Sequence, residues 1–471
     1  MSEITSFVCP ASWKITTLGQ ICKETGGSIQ TGPFGSQLHA SDYVEDGIPS
    51  VMPKNISIEK ILDDDIARVS VEDVNRLSKH KLQMGDIVYS RRGDVEKCVL
   101  VSEKEDGWLC GTGCIKVRIG PVGDISAKYI HAFLSHPEVR RWISQHAVGA
   151  TMPNLNTSIL SSVPVYLPPK ELQSFIANSW FGFNQKLLVN AGINNTLENI
   201  AQAIFKSWFV DFEPTKVKIV AREALLAENL AVTAEQIATA EQQAAIQAIA
   251  GADHIIPTDQ LQTIADLFPN QLVDSELGEI PEGWESSSLG CYFEVVMGQS
   301  PKGDTYNEDG DGIVFYQGRR DFGFRFPLPR VYTTDPKRIA EKGDTLISVR
   351  APVGDKNMAD ERCCLGRGLA AIRHKSGFKS FTYSFISHFE SELANSGSEG
   401  TVFNSINQNQ LKNFPFVNPT SDLIRSFEEI ISLLDSRISI NSKQVRTLTE
   451  LRDSLLPKLL TGDIALGNTS A

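Results

Sequence analysis

One plan is written twice in this chain of 471 residues, and that duplication limits its possible folds more than any single motif does. Pro10, Trp13, Leu18 and Gly19 recur as Pro281, Trp284, Leu289 and Gly290, each displaced by 271 positions. The offset then shrinks. Gly32-Pro33 matches Ser300-Pro301 at 268, Gly85-Asp86 matches Gly343-Asp344 at 258, and Gly111-x-Gly113 matches Gly366-x-Gly368 at 255. Leu160 and Pro164 match Leu411 and Pro415 at 251. A steady drift is what colinear duplicates show when loops are trimmed between fixed elements. Two copies of one module imply two similar sites on one polypeptide.

Each copy divides internally in the same way. Its first part is rich in Gly, Pro and β-branched residues, with short runs such as Asp86-Ile87-Val88-Tyr89-Ser90 and Asp344-Thr345-Leu346-Ile347-Ser348. Such runs bounded by turn residues read as strands. The remainder loses its glycines and becomes helical. Leu434, Ile438, Asn441, Val445, Leu448, Leu455 and Leu459 follow the alternating three and four spacing of a coiled-coil seam. Phe183, Leu187, Asn190, Leu197, Ile204 and Trp208 hold the same register 251 residues earlier. Two long helices with matching seams are expected to pack on each other. Asn190 and Asn441 fall at one seam position in both copies, where a buried amide fixes register by pairing with its counterpart. A register error of one residue would instead put both in solvent. A helix of roughly 40 residues is about 60 Å long, enough to hold two modules apart, at opposite ends if the helices run antiparallel.

These readings make the chain α+β: two tandem, mixed α/β, strand-rich modules, separated by two long antiparallel coiled-coil helices in a pseudo-twofold internal repeat. The expected boundaries are 1–168 and 276–419 for the modules, 169–213 and 420–463 for the helix regions, and 464–471 for a tail. Residues 214–275 form an inserted linker. Its stretch from Val217 to Ala252 is rich in Ala, Gln and Glu, strongly helix-favouring, and has no counterpart in the second copy. A helical hairpin or a tether fits that composition.

Charge argues against a nucleic-acid partner until its distribution is considered. The whole chain carries a net charge of -12, which phosphate repels. Yet residues 1–165 hold 17 Lys and Arg against 19 Asp and Glu, and residues 275–420 hold 16 against 19. Residues 166–274 hold 6 against 12, so half of the acidic excess lies away from the modules. The eight cysteines are scattered, and neither Cys110-x-x-x-Cys114 nor Cys363-Cys364 has zinc-site spacing. Met1 to Ala11 carries Glu3 and no basic start, so no signal peptide is expected, and reduced thiols in a cytoplasmic protein are. No run approaches the roughly 18 apolar residues of a membrane span.

Catalytic signatures are missing: no P-loop, no H-E-x-x-H, no G-x-S-x-G. Gly111-Thr112-Gly113 lacks the third glycine of a dinucleotide fingerprint and reads as a turn before a strand. The Asp/Asn-Pro-Pro-aromatic signature of an amino-methyltransferase is absent, no nuclease cluster stands out, and the eight histidines are dispersed. The pattern is that of a recognition protein without catalytic, cofactor or metal residues of its own. Positive signals lie in loops. Tyr316-Gln317-Gly318-Arg319-Arg320 and Phe322-Gly323-Phe324-Arg325 interleave arginine, amide and aromatic groups around glycines. Arg pairs bidentately with guanine and Gln with adenine in the major groove. Gln30, Thr31, Ser36 and Gln37 offer amides and hydroxyls in a glycine-rich loop of the first copy, followed by Lys54-Asn55 and Arg91-Arg92. Arg92 aligns with Arg350, after Ser90 and Ser348, as a repeated phosphate clamp would. Lys302, after Pro301, adds a further cation. The blander reading of each is a solvated or ion-paired surface group. Gly149-Ala150-Thr151 and Gly400-Thr401, which precede the helices, read as turns.

The layout resembles the DNA-specificity subunit of type I restriction-modification enzymes over nearly the full length. The matching residues are Pro281-Glu282-Gly283-Trp284 with Leu289-Gly290 and their echo at Pro10, Trp13 and Leu18-Gly19. To these are added Lys342 to Ser348, Val163-Pro164 with Leu167-Pro168-Pro169, Ser207-Trp208-Phe209-Val210-Asp211-Phe212, and Leu455-Leu456-Pro457-Lys458-Leu459-Leu460-Thr461-Gly462. The resemblance implies two target-recognition domains, each reading one half of a bipartite, asymmetric site in double-stranded DNA, with the helices setting the gap. It also implies two methylating subunits that bind S-adenosylmethionine, and motor-nuclease subunits that use ATP and Mg²⁺. Those cofactors belong to the partners. The competing readings are a coiled-coil scaffold that never touches DNA, and a remote nuclease or methyltransferase.

Overall fold

The two long helices organise the fold. In the computed structural model, which describes residues 10–57, 60–149, 153–228, 231–250, 256–390, 392 and 405–462, they run Lys170–Phe209 and Ser421–Thr461. Ala150-Thr151, Gly400-Thr401 and the tail 464–471 lie outside the described residues. Proline residues set both starts: Pro168-Pro169 precede Lys170, and Pro419 stands two residues before Ser421. Gln173 reinforces the first start, its amide donating to the Pro168 carbonyl at 2.9 Å and accepting from the Ser126 N–H at 3.1 Å.

Contacts divide the chain into two units, residues 1–189 with 446–471, and residues 190–445. In each unit the helices run antiparallel, because rising numbers on one meet falling numbers on the other. In the second unit Asn190 faces Gln444 and Asn194 faces Asn441; in the first, Asn184 faces Arg452. Leu187, Asn190, Ile438 and Asn441 are buried, and Leu197, Ile204, Leu434, Val445, Leu448 and Leu455 are half-buried.

The asparagines are buried, but Asn190 and Asn441 do not pair with each other. The Asn441 amide donates to Asn194 Oδ1 at 3.0 Å, Asn194 donates to Ser442 Oγ at 3.2 Å, and Asn190 donates to Gln444 Oε1 at 3.3 Å. The duplication explains this. In an antiparallel pair the copy of position 190 faces position 194, not 190. Asn194 is equivalent to Val445, which has no amide, so Asn190 turns to the adjacent Gln444 instead.

Each unit repeats the same strands. In the first, Ser28–Thr31, Cys114–Arg118, Ile87–Ser90 and Cys98–Leu100 form an antiparallel sheet in that spatial order. In the second, Phe293–Met297, Leu369–His374, Thr345–Ser348 and Lys356–Met358 do the same. A second, mixed sheet accompanies each, four-stranded in the first module and five-stranded in the second, and contains the parallel pair Ile48–Val51 with Leu109–Cys110 or Ile313–Tyr316 with Cys363–Leu365. Strands Lys14–Thr17 and Pro164–Leu167 close the first module antiparallel, as Glu285–Ser288 and Pro415–Asn418 close the second.

The repeat extends to side chains. Buried Asp86 takes Arg118 Nε and Nη2 at 2.6 Å each and the Gln83 N–H at 2.8 Å. Asp344 takes Arg373 Nε and Nη2 at 2.6 Å each and the Glu341 N–H at 2.8 Å. Each carboxylate ties a turn to the end of an inner strand of the sheet.

The cores join modules to helices. Trp13 packs with Ile176, Ala177 and Trp180 of the first helix and Leu456, Leu459 and Leu460 of the second. Trp284 packs with Phe209 of the first helix, in a core shared with Phe427 and Ile431 of the second. The insertion is folded and not a tether. Its helices Glu213–Glu228, Ala234–Ala250 and Thr258–Leu267 bury Ala245, Ile249, Leu261 and Ile264 in the second core. Lys218 closes it by donating to the Phe268 carbonyl at 2.6 Å, and burial lowers its ammonium pKa.

Candidate nucleic-acid interface

Three backbone segments of the second module meet where the mixed sheet touches the antiparallel one. Gly366 N–H donates to the Tyr316 carbonyl at 2.8 Å, and Gly298 N–H donates to the Leu369 carbonyl at 2.9 Å. A Cβ on Gly298 would lie 2.1 Å from the Gly366 carbonyl oxygen, so only glycine allows this approach. The chain leaving these contacts surrounds a cleft of about 690 Å³ with Gln299, Ser300, Gln317, Arg350 and Arg367. Tyr306 and Phe315 line it too, their ring centroids 4.9 Å apart. Arg350 and Arg367 are exposed, and neither makes an ion pair among the described residues. The Arg367 backbone is anchored through its N–H to Ser300 Oγ at 3.3 Å. Two cations, two primary amides and a hydroxyl on one concave surface have the donors and acceptors needed for phosphates and base edges.

The first module has the same backbone crossing with other side chains. Gly111 N–H donates to the Val51 carbonyl at 2.9 Å, and Gly32 N–H donates to the Cys114 carbonyl at 2.9 Å. A Cβ on Gly32 would stand 2.0 Å from the Gly111 carbonyl oxygen. Gly32 is therefore equivalent to Gly298 and not to Ser300, two residues from the position expected from sequence, because the second copy carries a longer loop before Pro301. Met52 stands where the second module has Gln317, and Thr112 where it has Arg367. Arg92 and Arg350 are equivalent and exposed, as are Lys54 and Arg320, each the second residue of a short 3-10 turn.

The structure sorts the residues singled out from sequence. Gln317, Arg320, Arg350, Lys302, Ser36 and Arg92 are exposed. Gln30 and Thr31 are half-buried on the edge strand, and the Thr31 carbonyl contacts His80 Nδ1 at 2.9 Å. Gln37 turns to its own loop, accepting from the Phe34 N–H at 3.2 Å. Lys54 reaches the Asp65 carbonyl at 3.2 Å, and the half-buried Arg91 guanidinium lies 5.9 Å from the Phe34 ring centroid. Arg319 is exposed and ion-paired with Asp355.

Three residues are corrected. Asn55 is 1% exposed and caps its own turn, accepting from the Met52 N–H at 3.0 Å and donating to the Leu62 carbonyl at 3.0 Å. Tyr316 is 1% exposed because the last residue of its strand faces the core. Arg325 is 2% exposed, between carboxylates of the long helices. None of the three is presented to a ligand. Lys116, on the strand Cys114–Arg118, is buried as well, its ammonium donating to the Lys79 and Lys81 carbonyls, and burial lowers its pKa. Sequence reasoning missed Arg367, whose signal was a cation between the paired glycines. Among the described residues no cluster of His, Cys, Asp and Glu could hold a metal ion, and no helix is long and apolar enough to cross a membrane.

Comparison with known proteins identifies relatives of the chain. The model of the type I restriction modification DNA specificity domain matches residues 10–199 and 281–449. The chain is 28% identical over 468 residues to a Methanocaldococcus jannaschii protein named as the type I restriction enzyme MjaX specificity subunit, covering 97% of this chain and 94% of that one. It is 24% identical over 436 residues to the HindI specificity subunit of Haemophilus influenzae, covering 84% and 90%. The crystal structure of a type I restriction-modification S subunit from M. genitalium shares the fold with a TM-score of 0.55, at 15% identity, covering 95% and 96%.

Proposed function

The chain belongs to the type I restriction-modification DNA specificity family, and we propose on that premise that each module reads one half of a bipartite, asymmetric DNA site while the paired helices set the gap. The observation that carries this reading is the duplicated backbone crossing, which in the second module borders the cleft. The crossing is the same in both modules, and Arg92 recurs at the position of Arg350. The other side chains around it differ, with Met52 and Thr112 where the second module has Gln317 and Arg367. Phosphates are alike at every site, so their contacts can be shared by two copies; bases are not, so base contacts must diverge when half-sites differ.

The partners follow from the same premise. Two methylating subunits, carrying S-adenosylmethionine, would dock on the helices and modify adenine, and motor-nuclease subunits would supply ATP- and Mg²⁺-dependent cleavage. The long helices expose apolar groups suited to docking, among them Phe175, Leu433, Ile440 and Leu451. No catalytic step is assigned to this chain.

Paired substitutions in the assembled complex test the reading. Arg367→Ala is expected to relax discrimination at one base pair of one half-site by about 1–3 kcal/mol. Arg92→Ala or Arg350→Ala should weaken binding across all sequences and flatten the salt dependence by about one counterion. A uniform loss from Arg367→Ala, measured by competition among single-base variants of the site, would make it a phosphate contact. No effect from any of the three would place the interface elsewhere.

A further inference from the structure

Arg325 lies on the second module's Phe322–Phe326 segment, yet its guanidinium is buried among the two long helices. Nη1 pairs with Glu198 of the first helix, and Nη2 lies 2.5 Å from Asp435 Oδ1 of the second. The guanidinium carbon lies 3.4 Å from the centroid of the Tyr383 ring, on the helix Lys379–His388 of the same module. The Arg325 carbonyl accepts from the Met358 N–H at 2.8 Å, which fixes the segment to the central sheet. One side chain thus joins the module to both helices at once. A planar fork with two anions and a ring face has one geometry.

Among the described residues of the first unit, no module arginine is ion-paired with both long helices. At the helix positions equivalent to Asp435 and Glu198 stand Asn184 and Thr449, both neutral. Asn184 accepts from Arg452 at 3.0 Å, a cation supplied by the helix and not by the module. The duplication therefore carries a difference exactly where module meets helix pair, and it is not a difference in the cleft.

We infer that Arg325 is a positioning residue, clamping the second module to both long helices so that the gap between half-sites is read as a fixed distance. This rests on the proposed function, since it needs a gap to be read. Arg325 touches no base in this scheme. Its removal should leave the sequence preference of each half-site intact and widen the tolerated gap.

The test uses the complete complex with its partner subunits, and duplexes carrying both half-sites, identified by methylation mapping, with the gap at its native length and one base pair shorter or longer. Arg325→Met alone strands two buried carboxylates and risks misfolding. The compensated variant Arg325→Met/Glu198→Gln/Asp435→Asn removes all three charges and keeps the volume. It is expected to lose about tenfold of the wild-type preference for the native gap, equivalent to ~1.4 kcal/mol, with half-site preferences unchanged. Arg325→Lys should fall between. A lower melting temperature with gap preference intact in the compensated variant means a purely structural role and overturns the inference, as does altered base preference. If no bipartite motif is found, the proposed function fails and this inference with it; a bipartite motif with unaltered gap preference overturns this inference alone.

Discussion

Trp208→Ala is expected to destabilise the second unit by about 3–5 kcal/mol, the range for deleting a large buried aromatic. Trp208 is 1% exposed and stands near the end of the first long helix. Its ring centroid lies 5.4 Å from Phe268 of the insertion and 6.0 Å from Phe427 of the second long helix, both edge to face. Phe205 and Phe209 on the same helix contact Phe381 at 5.7 and 5.1 Å, so the cluster links helix pair, insertion and module. Truncation leaves a cavity shared by all of them, and rigid neighbouring rings cannot collapse into it. Differential scanning calorimetry should show one transition lowered by roughly 10 °C, while the transition of the first unit stays in place. A joint shift of both transitions would mean that the two units unfold as one.

Arg373→Met is expected to destabilise the second unit by about 2–4 kcal/mol, somewhat below the cost of breaking a fully buried pair because the guanidinium is partly solvated. Asp344 is buried while Arg373 keeps 34% of its side-chain exposure, so removing the cation leaves a desolvated carboxylate with the Glu341 N–H. Asp344→Asn should cost less, since the amide oxygen still accepts from that N–H and the arginine can turn to water or Glu294. Arg118→Met should reproduce the loss in the first unit through Asp86. Urea unfolding of the three variants checks the order. Equal losses for Arg373→Met and Asp344→Asn would show that the pair is not governed by the buried acid.

The duplicated framework was legible in the sequence because strands, turns and helix seams recur at a smoothly drifting offset, which no single motif could have conveyed. Pairings that depend on which copy faces which were not. Asn190 and Asn441 were visible as seam amides, but Asn194 was not, since its counterpart is Val445 and the repeat hides an amide present in one copy only. The loops were less legible still. Tyr316, Gln317 and Arg325 look alike as components of a polar, aromatic stretch. One faces the core at a strand end, one lines a cleft, and one is buried under a tyrosine ring between carboxylates. Strand phase and long-range ion pairing decide among them, and local composition carries neither. Arg367 escaped for the opposite reason: flanked by glycines it reads as turn, and its place on the cleft depends on the approach of Gly298 to Gly366.

In the proposed function one chain directs its complex to two unlike half-sites through two modules. The most direct measurement is genome-wide adenine methylation by single-molecule sequencing in the host, in a strain deleted for this chain, and in one carrying a replacement of residues 26–165 by the equivalent module of a relative. The expected result is that one bipartite motif vanishes on deletion, and that the replacement changes one half-site while the other half-site and the gap persist. A methylation pattern unaffected by deletion, or a replacement that rewrites both half-sites, would contradict the account.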